Sequence, residues 1–113
     1  MIEVTILNYL NSVEGLAPTK MEVPATPPTR FYVLDKTGSD LDDHIKRSTF
    51  AVQSYAPTKY EAAQMNESVK DAMLNGLLAL DEIVDVDLNS DYDYTDTQEN
   101  RYRYQAVFDV THY

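Results

Sequence analysis

The chain has 113 residues, 43% of them hydrophobic, which suits one domain around one core and is too short for two. Nineteen acidic residues against nine basic ones give a formal charge of -10, which opposes binding to phosphate backbones, a contact built mainly from Lys and Arg. Cysteine is absent, so disulfides, thiolate metal sites and a cysteine nucleophile are excluded.

The apolar stretch from Met73 to Leu80 is broken by Asn75 and Gly76 and falls far short of the ~20 residues that span a bilayer. Met1-Ile2-Glu3-Val4 lacks the basic start of a secretory leader, so the expectation is a protein that stays where it is made.

Ile2, Ile6, Leu7, Leu10 and Val13 recur at three- and four-residue steps ahead of Gly15 and Pro18, which predicts an amphipathic helix ending near Glu14. Lys20 to Val23 suits a short strand, followed by a connector stiffened by Pro24, Pro27 and Pro28. Arg30 to Thr37 and His44 to Tyr55 are rich in aromatic and β-branched residues and read as two strands of a hairpin. Between them Lys36 to Asp43, polar and containing Gly38, reads as a solvent-facing acidic turn.

After Pro57, Thr58 caps a second helix, with Glu61 three residues on completing a capping box. Its apolar stripe is Ala62, Met65, Val69, Ala72, Met73, Leu77 and Leu80, with Lys59, Asn66, Glu67, Lys70 and Asp71 on the polar face. Ile83 to Leu88 alternates as a strand, Asn89 to Asn100 reads as a polar loop, and Arg101 to Tyr113 alternates again. In that last strand Tyr102, Tyr104, Ala106, Phe108 and Val110 share one face. The expected fold is α+β: a single domain, residues 1–113, with an antiparallel-rich sheet of four to five strands and two helices packed on one face.

Catalysis needs a nucleophile or an acid/base pair, and the histidines here are His44 beside an acidic turn and His112 near the last residue. Neither Ser48 nor Ser54 sits in a nucleophile-elbow motif, so no enzyme is expected. Asp85 to Asp96 places oxygen ligands at EF-hand spacing, with Asp85, Asp87, Asn89 and Asp96 as candidate cation ligands. Against it, Ser90 stands where the turn needs glycine, Asp96 replaces the bidentate Glu, and the flanks read as strands. The other reading is a solvated acidic loop, and the expectation is no metal and no cofactor. Tyr92, Tyr94, Tyr102, Tyr104 and Tyr113 crowd the C-terminal quarter, which suits either an interface or cross-strand pairing.

The run from Arg30 through Val33-Leu34-Asp35-Lys36-Thr37-Gly38-Ser39, then Arg47 through Phe50-Ala51-Val52-Gln53-Ser54-Tyr55-Ala56 into the Glu61-Ala62-Ala63 helix, resembles the tail terminator (tail completion) proteins of long-tailed bacteriophages. Arg101-Tyr102-Arg103-Tyr104-Gln105-Ala106-Val107-Phe108 extends the resemblance over nearly the whole chain. It implies a structural virion protein that closes into a homo-oligomeric, hexameric ring on the head-proximal end of the tail tube. Such a ring stops tube polymerisation, meets the major tail protein on one face and the head-tail connector protein on the other, and leaves a channel through which genome DNA passes without specific binding. It implies location in the virion tail, assembly in the host cytoplasm, and no membrane partner. Another connector or stopper ring protein gives a similar pattern, and a small cation- or ligand-binding module is the alternative of a different class.

A ring of heterologous contacts joins two different patches of each protomer. The residues expected at ring and partner interfaces are Asp40, Asp42 and Asp43 in the acidic turn, Tyr92 and Tyr94 in the polar loop, and Arg47, Arg101 and Arg103 as complementary cations.

Overall fold

A computed structural model describes residues 1–42, 44–98 and 101–113, Asp42 by its backbone alone. The order is α1 (Ile2–Ser12), β1 (Thr19–Lys20), β2 (Phe31–Asp42), β3 (Ile45–Ala56), α2 (Lys59–Asp71), β4 (Ile83–Asp93) and β5 (Tyr102–His112). The strands form one mixed sheet in the order β1-β2-β3-β5-β4, parallel only between β1 and β2.

Both helices lie on one face, as the amphipathic spacing predicts. Ile6 and Leu10 of α1 join Val69 and Met73 of α2 in one core with Leu34, Phe50, Val52, Ala106, Phe108 and Val110 from the sheet. Phe50 and Phe108 are fully buried and stand directly opposite each other across β3 and β5. The Tyr32 hydroxyl donates to the Met65 carbonyl at 2.9 Å, and burial pushes that phenol well above its usual pKa. At the end of α1, the Asn11 amide takes both backbone groups of Thr19, at 3.1 and 2.9 Å, and so ties the helix to β1.

Thr58 caps α2 as expected, accepting from the Glu61 N–H at 3.2 Å. The Glu61 carboxylate accepts from the Thr58 hydroxyl and from Arg30, and the hydrogen bond from Arg30 holds its pKa below the usual carboxylate range. The helix continues to Ala79 through a π turn at Ala72–Gly76 and a 3-10 turn at Leu77–Ala79. A π turn frees a carbonyl, and here the Tyr9 hydroxyl donates to Ala72 O at 2.8 Å. Gly76 leaves room for this hydrogen bond, because a Cβ there would overlap the Tyr9 hydroxyl and the ring would have to shift.

Three expectations need correcting. Lys36 to Asp42 is strand rather than turn: the ladder absorbs Gly38 by a register shift between Lys36 and Gly38, and runs on until Asp42 pairs with Ile45. His44 turns the chain with φ 70°, a conformation histidine tolerates better than most residues, and Asp43 lies outside the described residues. Asn89 to Asp93, assigned to a loop, extends β4, because pairing with β5 as far as Asp93↔Tyr104 satisfies its backbone; Glu99 and Asn100 lie outside the described residues. Asn66, assigned to the polar face of α2, is buried and donates to Asp91 at 3.0 Å.

The Tyr9–Gly76 contact yields a paired prediction. Gly76→Ala should cost about 1–3 kcal/mol through overpacking, and Tyr9→Phe about 1 kcal/mol through the lost hydrogen bond. Urea unfolding of the double variant should give less than the sum, since removing the hydroxyl makes room for the new methyl.

Candidate interaction surface

The helix-free face of the sheet has no second layer of secondary structure, so its outward side chains must cover it or leave it to a partner. At the end where β3 meets Ala56, they cover it. Phe31 on β2 and Tyr55 on β3 are register partners with rings stacked at 4.6 Å, and both are buried with Val33 in a cluster separate from the main core. Arg103, opposite Tyr55 on β5, donates from Nη1 to the Tyr55 hydroxyl at 2.9 Å and from Nε to the Tyr94 carbonyl at 2.6 Å. Its guanidinium lies 4.4 Å from the Tyr94 ring centroid, and Tyr92 meets Tyr94 edge-on at 5.9 Å.

From Arg103 the hydrogen bonds run one way. The Tyr55 hydroxyl donates to Gln53 at 3.0 Å, Gln53 to Gln105 at 2.9 Å, and Gln105 to the Tyr92 hydroxyl. Each donor is polarised by the one before it, beginning from a fixed charge.

The other end of this face carries acid. Asp85 stands opposite Thr111 and Asp87 opposite Asp109, while Asp40 stands opposite Arg47. The Asp109 carboxylate accepts from Thr49 at 2.9 Å and Asn89 at 3.2 Å. About eight residues of β3 separate Arg47 from Tyr55, so the two ends lie roughly 26 Å apart in a molecule 44 Å long.

The residues expected at interfaces therefore divide. Asp40 and Arg47 fall at the acidic end, while Tyr92, Tyr94, Arg101 and Arg103 fall at the aromatic end; Asp43 and the Asp42 side chain lie outside the described residues. Arg103 is not a free surface charge, because its guanidinium is held by its own chain. Arg101 precedes β5 in an isolated bridge with Asp96. Sequence reasoning passed over Gln53, Tyr55 and Gln105. Their signal is the odd-numbered alternation in β3 and β5, which puts all three on the face opposite Phe50 and Phe108.

The candidate cation ligands are not gathered around a loop. Asp85, Asp87 and Asn89 are spread along extended β4 and Asp96 lies beyond its end, and among the described residues no group of three or more His, Asp or Glu is placed to hold a metal ion. Pairing with β5 is what straightens the segment. Its remaining acids tie β4 to α2: Lys70 meets Asp91 at 2.9 Å and Lys59 meets Asp93 at 3.2 Å. Hydrogen bonds from Thr95, then Lys59, hold the Asp93 carboxyl below the usual range.

Ser48 and His112 come together at the acidic end, on the core side, with Oγ and Nε2 2.8 Å apart and both residues buried. This contact resembles a nucleophile and its base. Yet β3 is paired on both sides at Ser48, with Ser39 and Val110, so the neighbouring amides are committed to the ladder rather than turned toward an oxyanion. His112 Nδ1 lies 3.1 Å from the Tyr113 carbonyl, leaving the imidazole with a partner at each nitrogen.

The sequence matches no protein-family model and no curated protein.

Truncation separates the two arginines. Arg103→Ala should lower the unfolding free energy by about 1.5–3 kcal/mol in urea titration, as loss of a charged hydrogen-bond donor does, while Arg101→Ala should stay within about 0.5 kcal/mol of the parent. Equal stability of the two variants would show that the network does not hold the sheet.

Proposed function

We propose that the chain is a ring-forming tail terminator of a long-tailed bacteriophage: a structural protein that caps the head-proximal end of the tail tube, stops its growth and presents the surface for head joining. The observation that carries this reading is the unlike chemistry at the two ends of one sheet face, acidic around Asp40, Asp85 and Asp87 and aromatic around Tyr55 and Tyr94, with Arg101 as the cation beside them. A head-to-tail ring needs two different, mutually attractive patches on every protomer, and a rigid sheet holds them at a fixed separation.

Two further features support it. The formal charge of -10 suits a channel wall along which DNA slides without sticking. The Ser48–His112 pair borders a cleft but has strand-committed backbone amides on either side rather than a turn that could form an oxyanion site, which suits a mechanical part. In this reading the protein binds copies of itself, the major tail protein and the head-tail connector, resides in the virion tail, and uses no cofactor. A stopper ring would share the first contact and lack the second.

Polymerising major tail protein with and without the purified chain tests the proposal. The expected outcome is shorter tubes carrying a cap at one end in negative-stain images. Tubes of unchanged length with bare ends would refute the terminator role.

A further inference from the structure

We propose that Asp85 is a gatekeeper: its carboxylate holds the outward backbone N–H of Val86 and so closes the free edge of β4 to addition of another strand. This stands apart from the ring reading, since it concerns the surface that is barred to partners rather than the one that joins them.

β4 ends the sheet, and among the described residues nothing pairs with its outer side. Such an edge draws in strands of other chains. Its second half is engaged from above, because Lys70 and Lys59 of α2 hold the carboxylates of Asp91 and Asp93. Its first half, Ile83-Val84-Asp85-Val86-Asp87-Leu88, is made of aliphatic residues broken only by two aspartates, and Val84 and Leu88 are 42% and 37% exposed. Without charge, a segment of that kind has the pattern of strand self-association.

The direction of the Val86 N–H follows from the ladder. In an antiparallel pair, alternate residues turn their backbone groups toward the partner and away from it. The Tyr113 N–H donates to the Glu82 carbonyl at 3.0 Å, and the Arg103 carbonyl accepts from the Tyr94 N–H at 2.9 Å, so the odd-numbered residues of β5 bond to β4. Val110 therefore bonds to β3, and its partner on the other side, Val86, turns its N–H outward. Asp85 Oδ1 accepts that N–H at 3.0 Å.

An incoming strand has to place a carbonyl oxygen where this carboxylate oxygen already sits, and it meets a negative charge there. The edge is thus closed at the middle of its most adhesive stretch, by the residue before the exposed amide. The ladder around it is irregular as well, with register shifts between Ile83 and Asp85 and between Leu88 and Ser90, and such shifts bend an edge away from flat pairing.

Sedimentation velocity over a concentration series, comparing three variants with the parent, tests the cap against charge alone. Asp85→Val removes both acceptor and charge; Asp85→Asn keeps an acceptor oxygen without the charge; Asp87→Asn drops an equal charge and leaves the cap in place. Asp85→Val should form species larger than the parent's at a roughly ten-fold lower concentration, the worth of about one added ladder hydrogen bond, while both Asn variants match the parent. An Asp85→Val chain that matches the parent would overturn the proposal. Association of either Asn variant to the same degree as Asp85→Val would make charge the barrier and overturn the cap. Hydrogen exchange of the Val86 amide in dilute protein gives a second readout on the smaller change Asp85→Ala, which decides the matter should Asp85→Val fail to fold. The amide should exchange more slowly in the parent and in Asp85→Asn than in Asp85→Ala, and equal rates would refute the cap.

Discussion

β3 is hydrogen-bonded along its whole length, to β2 on one side and β5 on the other, and the rest of the molecule depends on that double pairing. It sets Phe50 and Val52 toward the helices and Ala51, Gln53 and Tyr55 toward the open face, so one strand builds the core and the second surface together. A register slip of one residue would exchange the two sets. The same pairing holds the two ends of the open face at a fixed distance.

The open face shows how a small protein covers a sheet without a third layer. Tyrosine, glutamine and arginine side chains lie across the strands and satisfy one another, giving apolar area where ring meets ring and a hydrogen bond at nearly every polar tip. Removing Arg103 would take away two hydrogen bonds and its contacts with the Tyr55 and Tyr94 rings, which is why it belongs to the fold as much as to any interface. The tyrosine crowding in the sequence has the same explanation: Tyr92 on β4 and Tyr94 just beyond it meet Gln105 and Arg103 of β5, while Tyr102 lines a cleft with Pro27 and Pro28.

Most of the architecture was legible in the sequence because the elements are amphipathic at the right period. Both helices, the Thr58 cap and the β5 alternation follow directly from residue spacing. The misreadings share one cause: Lys36 to Asp42 and Asn89 to Asp93 are polar and locally turn-like, and only pairing with their ladder partners on β3 and β5 makes them strand. Local propensity contains no term for a ladder partner on another strand. Asn66 was missed for a related reason, since its burial depends on Asp91 of β4. At the candidate surface, the split of Asp40 and Arg47 from Tyr92 and Arg103 required the strand register.

In the ring reading identical protomers join head to tail, and the mass of the assembled wild-type protein tests this most directly. Native mass spectrometry across a concentration series, with and without tail tubes, should reveal one closed species at a fixed multiple of 12.9 kDa, six-fold as the tail-terminator resemblance implies, with few intermediates once it forms. A monomer under every condition, or a species that stops at two copies, would contradict it.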